Sequence, residues 1–306
     1  MTTLNKSTLS GIKPGVPTPS YDLNAVKTGI VHFGVGGFHR SHMAMTLNRL
    51  MNDGKALDWG ICGVGLLEGD KKLRDIFAEQ DCLYTLVLKH PDGVREPSVI
   101  GSIREYMFAP DDPEAVIEKM ADPETRIVSL TITEGGYNFD RVTGEFMAST
   151  PAVAADLKDG AIPSTAFGFV TEALRRRRER GIPAFTVLSC DNIQGNGHVA
   201  KEMFTAFAKL KDAELGEWIE QNVAFPNSMV DRITPATGPR ERAMAATFGL
   251  GDDPVVLGNP DVQTVRVGQQ IADALIDVAG QILQVFDERP AQVGDLLRTD
   301  DAEFGD

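Results

Sequence analysis

Residues 28–40 read Thr-Gly-Ile-Val-His-Phe-Gly-Val-Gly-Gly-Phe-His-Arg, an apolar and β-branched run that ends in a glycine cluster. Gly34 allows a tight turn out of a strand, and Gly36 lets the backbone approach a bulky anion. The N–H groups opening a following helix would face that anion with partial positive charge, which suits a diphosphate. Gly34, Val35, Gly36, Gly37, Phe38, His39 and Arg40 are therefore a candidate diphosphate cradle. The third glycine of the usual spacing is replaced by His39, so the pattern alone also fits a purely structural turn.

Further along, Glu68 and Asp70 follow a second apolar run, WGICGVGL at 59–66. A carboxylate at that place accepts hydrogen bonds from an adenosine ribose and repels a 2′-phosphate, which favours NAD over NADP. The same two acids could instead open the helix at KKLRDIF. Asn192 follows a third run, AFTVLSC at 184–190, at a strand end where open α/β sheets bind ligands. Its amide can donate to a developing alkoxide, or bond locally as a turn residue. Asp231 and Arg232 read either as site residues or as a structural ion pair. His39 and His42 are three apart, but no cysteine or carboxylate set completes a zinc site around them. Phosphate-side and packing roles are expected for both, and no metal.

Strands and helices must alternate to position these residues. Strands are expected at 28–33, 59–66, 83–88, 99–108, 126–133 and 184–190. Helices are expected after the glycine turn (41–53), at 111–121 behind Asp112-Pro113, at 165–180 and at 197–211. HPDG at 90–93 is a turn signal. Apolar strands alternating with helices argue an α/β, doubly wound, mostly parallel sheet of Rossmann-like type. Arg175–Arg178 occupy all sides of their helix and read as a solvated helix end. Ile271, Leu275, Val278, Ile282 and Val285 give a helical stripe over 262–288, followed by an acidic tail. The expected organisation is an N-terminal arm (1–27), a dinucleotide-binding domain (28–240) and a short helical C-terminal segment (241–306).

Bulk properties exclude some classes. The 306 residues carry a formal charge of −14, opposite to what a phosphate-backbone binder or an anionic membrane surface requires. No apolar run is long enough to span a bilayer, and the first residues lack the apolar middle of a signal peptide. The three cysteines show no CxxC spacing and suit a reducing cytoplasm as small buried residues.

Several segments together resemble the mannitol dehydrogenase family of long-chain polyol dehydrogenases. These are IVHFGVGGFHRSH, QDCLYTLV (80–87), SLTITEGGY (129–137), SCDNIQGNG (189–197) and above all VAFPNSMVDRITP (223–235). The resemblance implies NAD-dependent oxidation of a secondary alcohol of a polyol, mannitol-like, to a ketose. It places Thr133 and Glu134 beside the cofactor and Asn192 at the reaction centre. It places Asn227 and Asp231 near the nicotinamide and substrate face.

The resemblance is not traceable beyond Val265. In the family the general base is a lysine in a later Lys-x4-Asn-x2-His pattern, within a mainly helical substrate domain. This sequence has no lysine after Lys211 and no histidine after His198. The expectation is a shortened, truncated relative, and the alternative is a dinucleotide-binding module without turnover. The stripe at 262–288 is expected to cover surface left by the absent domain, in cis or by self-association.

Overall fold

The structure, a computed structural model, describes residues 4–230 except 13, 91, 93 and 141, together with 234 and the backbone of 262–266. Strands β1 (Thr28–Phe33), β2 (Gly60–Gly65), β5 (Ile103–Phe108), β6 (Ile127–Leu130) and β7 (Thr186–Ser189) form one sheet in the order β5-β2-β1-β6-β7. Every neighbouring pair in it is parallel. The strand order reverses at β1, so β1 and β6 flank the topological switch point of a doubly wound, Rossmann-like sheet. Strand alternation fills a core on each face. Val31, Phe33, Val64, Val128 and Val187 enter one cluster, and Ile30, Ile61, Ile127 and Leu188 enter the other.

Helices α1 (Gly37–Ser41), α2 (Met43–Asn52) and α3 (Lys71–Glu79) lie in the first half, and α4 (Pro113–Ala121) follows β5. Asp112 caps α4 by accepting from the Ala115 N–H at 2.9 Å, with Pro113 in its first turn, as the sequence suggested. A one-turn helix α5 (Thr133–Gly136) and a short α6 (Pro151–Asp156) precede α7 (Ala166–Glu179). Then come α8 (Asn196–Lys211) and α9 (Ala213–Asn222), the last not foreseen in the sequence.

Four expectations need correction. The helix after the glycine turn is two pieces, because His42 leaves helical geometry (φ −117°, ψ −92°) between α1 and α2. The run 99–108 is divided between sheets: β4 (Arg95–Ile100) pairs antiparallel with β3 (Tyr84–Lys89), while β5 joins the parallel sheet. The break at Gly101-Ser102 is held by α2, where Asn48 Oδ1 accepts from the Gly101 N–H and Ser102 Oγ donates to the Ala44 carbonyl. The stripe beginning at 262 opens as a strand, β8 (Val262–Arg266), parallel to β3. Its β-branched Val262, Thr264 and Val265 suit a sheet. The residues that carried the helical period all follow 266 and, with the proposed self-association surface, lie outside the described residues.

The arginine run is the fourth correction. Arg178 is exposed, but Arg177 is 3% exposed. Arg177 donates to the carbonyls of Met120, Asp122, Thr125 and Pro183 at 2.7–3.1 Å. Arg176 pairs with Glu114 and Glu118 on α4. The run stitches α7 to α4.

Candidate functional site

The carboxyl ends of β1, β2, β6 and β7 all open onto one edge of the parallel sheet. A cavity of about 780 Å³ lies there, in the size range of cofactor sites. Gly34 and Gly36 line it after β1, Leu67 and Asp70 after β2, and Thr131 and Thr133 after β6. The far wall is α6 and the start of α7, with Val153, Thr165 and Phe167. Asp156, 4% exposed, fixes that wall by accepting from the backbone and hydroxyls of Ser164 and Thr165 at 2.7–3.1 Å.

The two glycines serve different ends. Gly34 has φ +88°, and a Cβ there would lie 2.1 Å from the Thr131 carbonyl oxygen. Gly36 has an ordinary φ of −86°, and its Cβ would meet nothing nearer than 3.8 Å. The space that a side chain at 36 would fill belongs to the cavity, so the backbone stands open to a ligand. Val35 packs into the core beside β2. Gly37 and Phe38 begin α1, which is only five residues long. The macrodipole foreseen there is correspondingly small, and local N–H groups rather than a long helix are what the turn offers.

His39 and Arg40 turn inward. His39 is 1% exposed and its ring stacks on His32 at 3.4 Å, while His42 stacks on Phe38. His32 Nδ1 meets Ser129 Oγ at 2.8 Å and its Nε2 meets Thr131 Oγ1 at 3.0 Å. Burial depresses both basicities, His32 to about 3 and His39 well below the usual histidine value. Two neutral imidazoles therefore support the turn from beneath. Arg40 Nε donates to the Gly36 carbonyl, and Tyr84 Oη donates to the Arg40 carbonyl.

At the β2 end, Asp70 Oδ2 accepts from the N–H groups of Leu66 and Leu67 at 3.0 and 2.8 Å. This fixes the carboxylate on the cavity wall and leaves Oδ1 without a hydrogen bond among the described residues. Glu68 is exposed and 3.9 Å from Lys71.

At the opposite end, Thr133 adopts φ +63°, a conformation costly for a β-branched residue by about 1–3 kcal/mol. Asp191, 7% exposed, accepts from the N–H groups of Ile132 and Thr133 at 3.1 and 2.8 Å. Tyr137 Oη also donates to it at 2.8 Å. Burial raises the Asp191 pKa, with these three donors opposing. The next residue, Asn192, is exposed and its side chain makes no hydrogen bond among the described residues. It is free to meet a ligand.

The loop after β7 also receives the 223–230 segment. Asn196, 2% exposed, donates to the carbonyls of Asp191 and Ser228 and accepts from the Ser228 N–H. Asn227 Oδ1 accepts from the Gly197 N–H at 3.0 Å, and its side chain meets His198. Thr234 Oγ1 lies 2.8 Å from Ser41 Oγ on α1. Asp231 lies outside the described residues. Sequence reasoning missed Asp156, Asp191, Tyr137 and Asn196. For Tyr137, Asp191 and Asn196 the available signal was polar residues within TEGGY and SCDNIQGNG, most of whose partners are distant in sequence. Asp156 lies outside both segments, eight and nine residues before Ser164 and Thr165.

The chain is similar to known proteins. A family model of the mannitol dehydrogenase Rossmann domain matches residues 28–286. Mannitol dehydrogenase 2 of Saccharomyces cerevisiae is 48% identical over 268 residues, covering 86% of this chain and 53% of that protein. A polyol:NADP oxidoreductase of Gluconobacter oxydans is 49% identical over 253 residues, covering 82% and 52%. The solved ternary complex of Pseudomonas fluorescens mannitol 2-dehydrogenase with NAD and D-mannitol superposes with a TM-score of 0.80 at 48% identity, covering 87% and 52%. The chain thus spans about half the length of the relatives it matches.

Proposed function

The chain belongs to the mannitol dehydrogenase family, and from that premise we propose that it holds NAD along the carboxyl edge of its parallel sheet and serves oxidation of a secondary alcohol of a mannitol-like polyol to a ketose. The observation that carries this reading is the cavity at the β1–β6 switch point, floored by Gly36 with no side chain in the way. Residues 28–240 act as the dinucleotide-binding domain. The amides of the Gly34–Phe38 turn hold the diphosphate, with His39 and Arg40 bracing it from inside. Asp70, with Glu68 nearby, takes the adenosine ribose hydroxyls and disfavours a 2′-phosphate. Thr133 borders the other half of the cofactor.

Bound there, NAD supplies the hydride acceptor. The carbinol must lose its proton as the hydride leaves, which calls for a base and for a donor to the developing alkoxide. Asn192 supplies the donor, and Asn227 and Asp231 flank the substrate. Asp191 is unsuited as the base, since its carboxylate already serves three internal donors. The family's lysine pattern is not among these 306 residues. A second reading is dinucleotide binding without turnover. Three free, buried cysteines suit a reducing, cytoplasmic setting. Among the described residues no helix is long and apolar enough to cross a membrane.

Fluorescence titration with NADH, followed by a mannitol-dependent absorbance assay with NAD, tests both readings. Binding with turnover is expected from the first and binding alone from the second. No NADH binding would sink both.

A further inference from the structure

Along the carboxyl edge of the sheet the strand ends run in the order β2, β1, β6, β7, and the first three line the cavity. The ribose-type acid Asp70 stands at the first and the glycine turn at the second. A dinucleotide anchored at those two points must send its nicotinamide half toward β6 and β7. There the wall is a strained turn, since Thr133 is β-branched and sits at φ +63°. Such a residue holds that conformation only when its surroundings dictate it. What dictates it is one side chain from the neighbouring strand end.

Resting on the dinucleotide reading above, we propose that Asp191 is a positioning residue: its buried carboxylate clamps the Ile132–Thr133 turn against the β7 loop and so sets the wall that receives the nicotinamide half of the cofactor. The clamp is 2.8 Å from the Thr133 N–H and 3.1 Å from the Ile132 N–H. It is itself oriented by Tyr137, whose hydroxyl bonds to both Asp191 Oδ2 (2.8 Å) and Ser189 Oγ (2.5 Å). Its backbone carbonyl is held by Asn196. One residue thus couples the turn after β6, the loop after β7 and the placement of Asn192 directly beside it. A carboxylate is suited to this because it offers two oxygens to donors on different segments. An amide in its place offers one oxygen and sets a donor against a donor.

The test compares two probes on the full chain, NADH and ADP. ADP keeps the adenosine and diphosphate and lacks the nicotinamide riboside. Asp191→Asn is expected to weaken NADH binding about tenfold or more, the scale of a lost hydrogen bond to a charged group. ADP affinity should stay within about twofold, because its contacts lie at the β1 and β2 ends. Adding Thr133→Gly should restore most of the NADH affinity, since glycine takes the positive φ without the clamp. An equal loss for both probes, no loss at all, or no rescue by glycine would each overturn the proposal. Should Asp191→Asn not fold, Tyr137→Phe takes its place, with about a threefold loss for NADH alone expected from one missing donor. Unchanged or equal losses there would overturn it too. A wild-type chain that bound neither probe would bring down the dinucleotide reading itself, and the clamp's role with it. Failure of the clamp alone shows as normal wild-type binding that Asp191→Asn leaves intact.

Discussion

At Gly34 a Cβ would strike the Thr131 carbonyl oxygen at 2.1 Å with φ at +88°, whereas at Gly36 it would enter open space. Two glycines two residues apart therefore predict opposite phenotypes. Gly34→Ala combines a left-handed backbone with a backbone clash, and urea unfolding should show a loss of about 3 kcal/mol or more. Gly36→Val should leave stability within about 1 kcal/mol while NADH affinity falls roughly a hundredfold, equivalent to about 2.7 kcal/mol. Normal NADH binding by Gly36→Val would contradict the cradle. The glycine spacing made this turn legible in the sequence, because it reports a local backbone requirement. Asp191 was illegible for the opposite reason: its partners Ile132 and Thr133 are 59 and 58 residues away, and only the parallel register of β6 and β7 brings them together.

Elements repeat that contrast. The parallel strands and α4, α7 and α8 were readable because apolar runs, a capping Asp112 and periodic spacing are local signals. The division of 99–108 was not, because the partners that break it, Asn48 and Ala44, lie on α2. Arg177 shows how far a surface reading can miss. It looks like one cation of four, yet it satisfies carbonyls at the C-terminal end of α4 and in the loops before β6 and β7. Arg177→Met keeps the apolar bulk and removes the donor to the carbonyls of Met120, Thr125 and Pro183, while Asp122 keeps the Thr125 N–H, so it should cost about 2–4 kcal/mol. Arg178→Met, at the exposed neighbouring position, should cost no more than about 0.5 kcal/mol. Denaturant melts of the two variants check this, and equal midpoints would refute the stitch between α4 and α7.

For the molecule as a whole, buried imidazoles beneath the ligand edge tie global stability to pH. His32 and His39 have folded-state pKa values far below the ordinary 6.5, so the unfolded chain binds protons that the folded chain refuses. Stability contributed by the pair is complete above pH 6.5 and falls as pH drops below it, continuing toward the folded value of about 3 for His32. The carboxylates act lower. Glu118, paired with Arg176 and Arg180, is held at about 2 and contributes stability that is lost only below its ordinary 4.5. Asp191, raised by burial above 3.8, has the opposite sign, since acid relieves its burial. Across pH 6.5 to 5.5 Glu118 is silent, and comparison with a histidine variant separates the imidazole contribution from any carboxylate. Each of the two histidines should lose about 1 kcal/mol of unfolding free energy over that interval, about 2 kcal/mol together. His39→Gln removes one titrating ring at similar volume and should halve that fall, whatever it does to absolute stability. Urea unfolding of both proteins at pH 7.5, 6.5 and 5.5 measures the slopes. Parallel slopes would mean that the rings are not held neutral beneath the turn, and the floor assigned to the Gly34–Phe38 cradle would need another support.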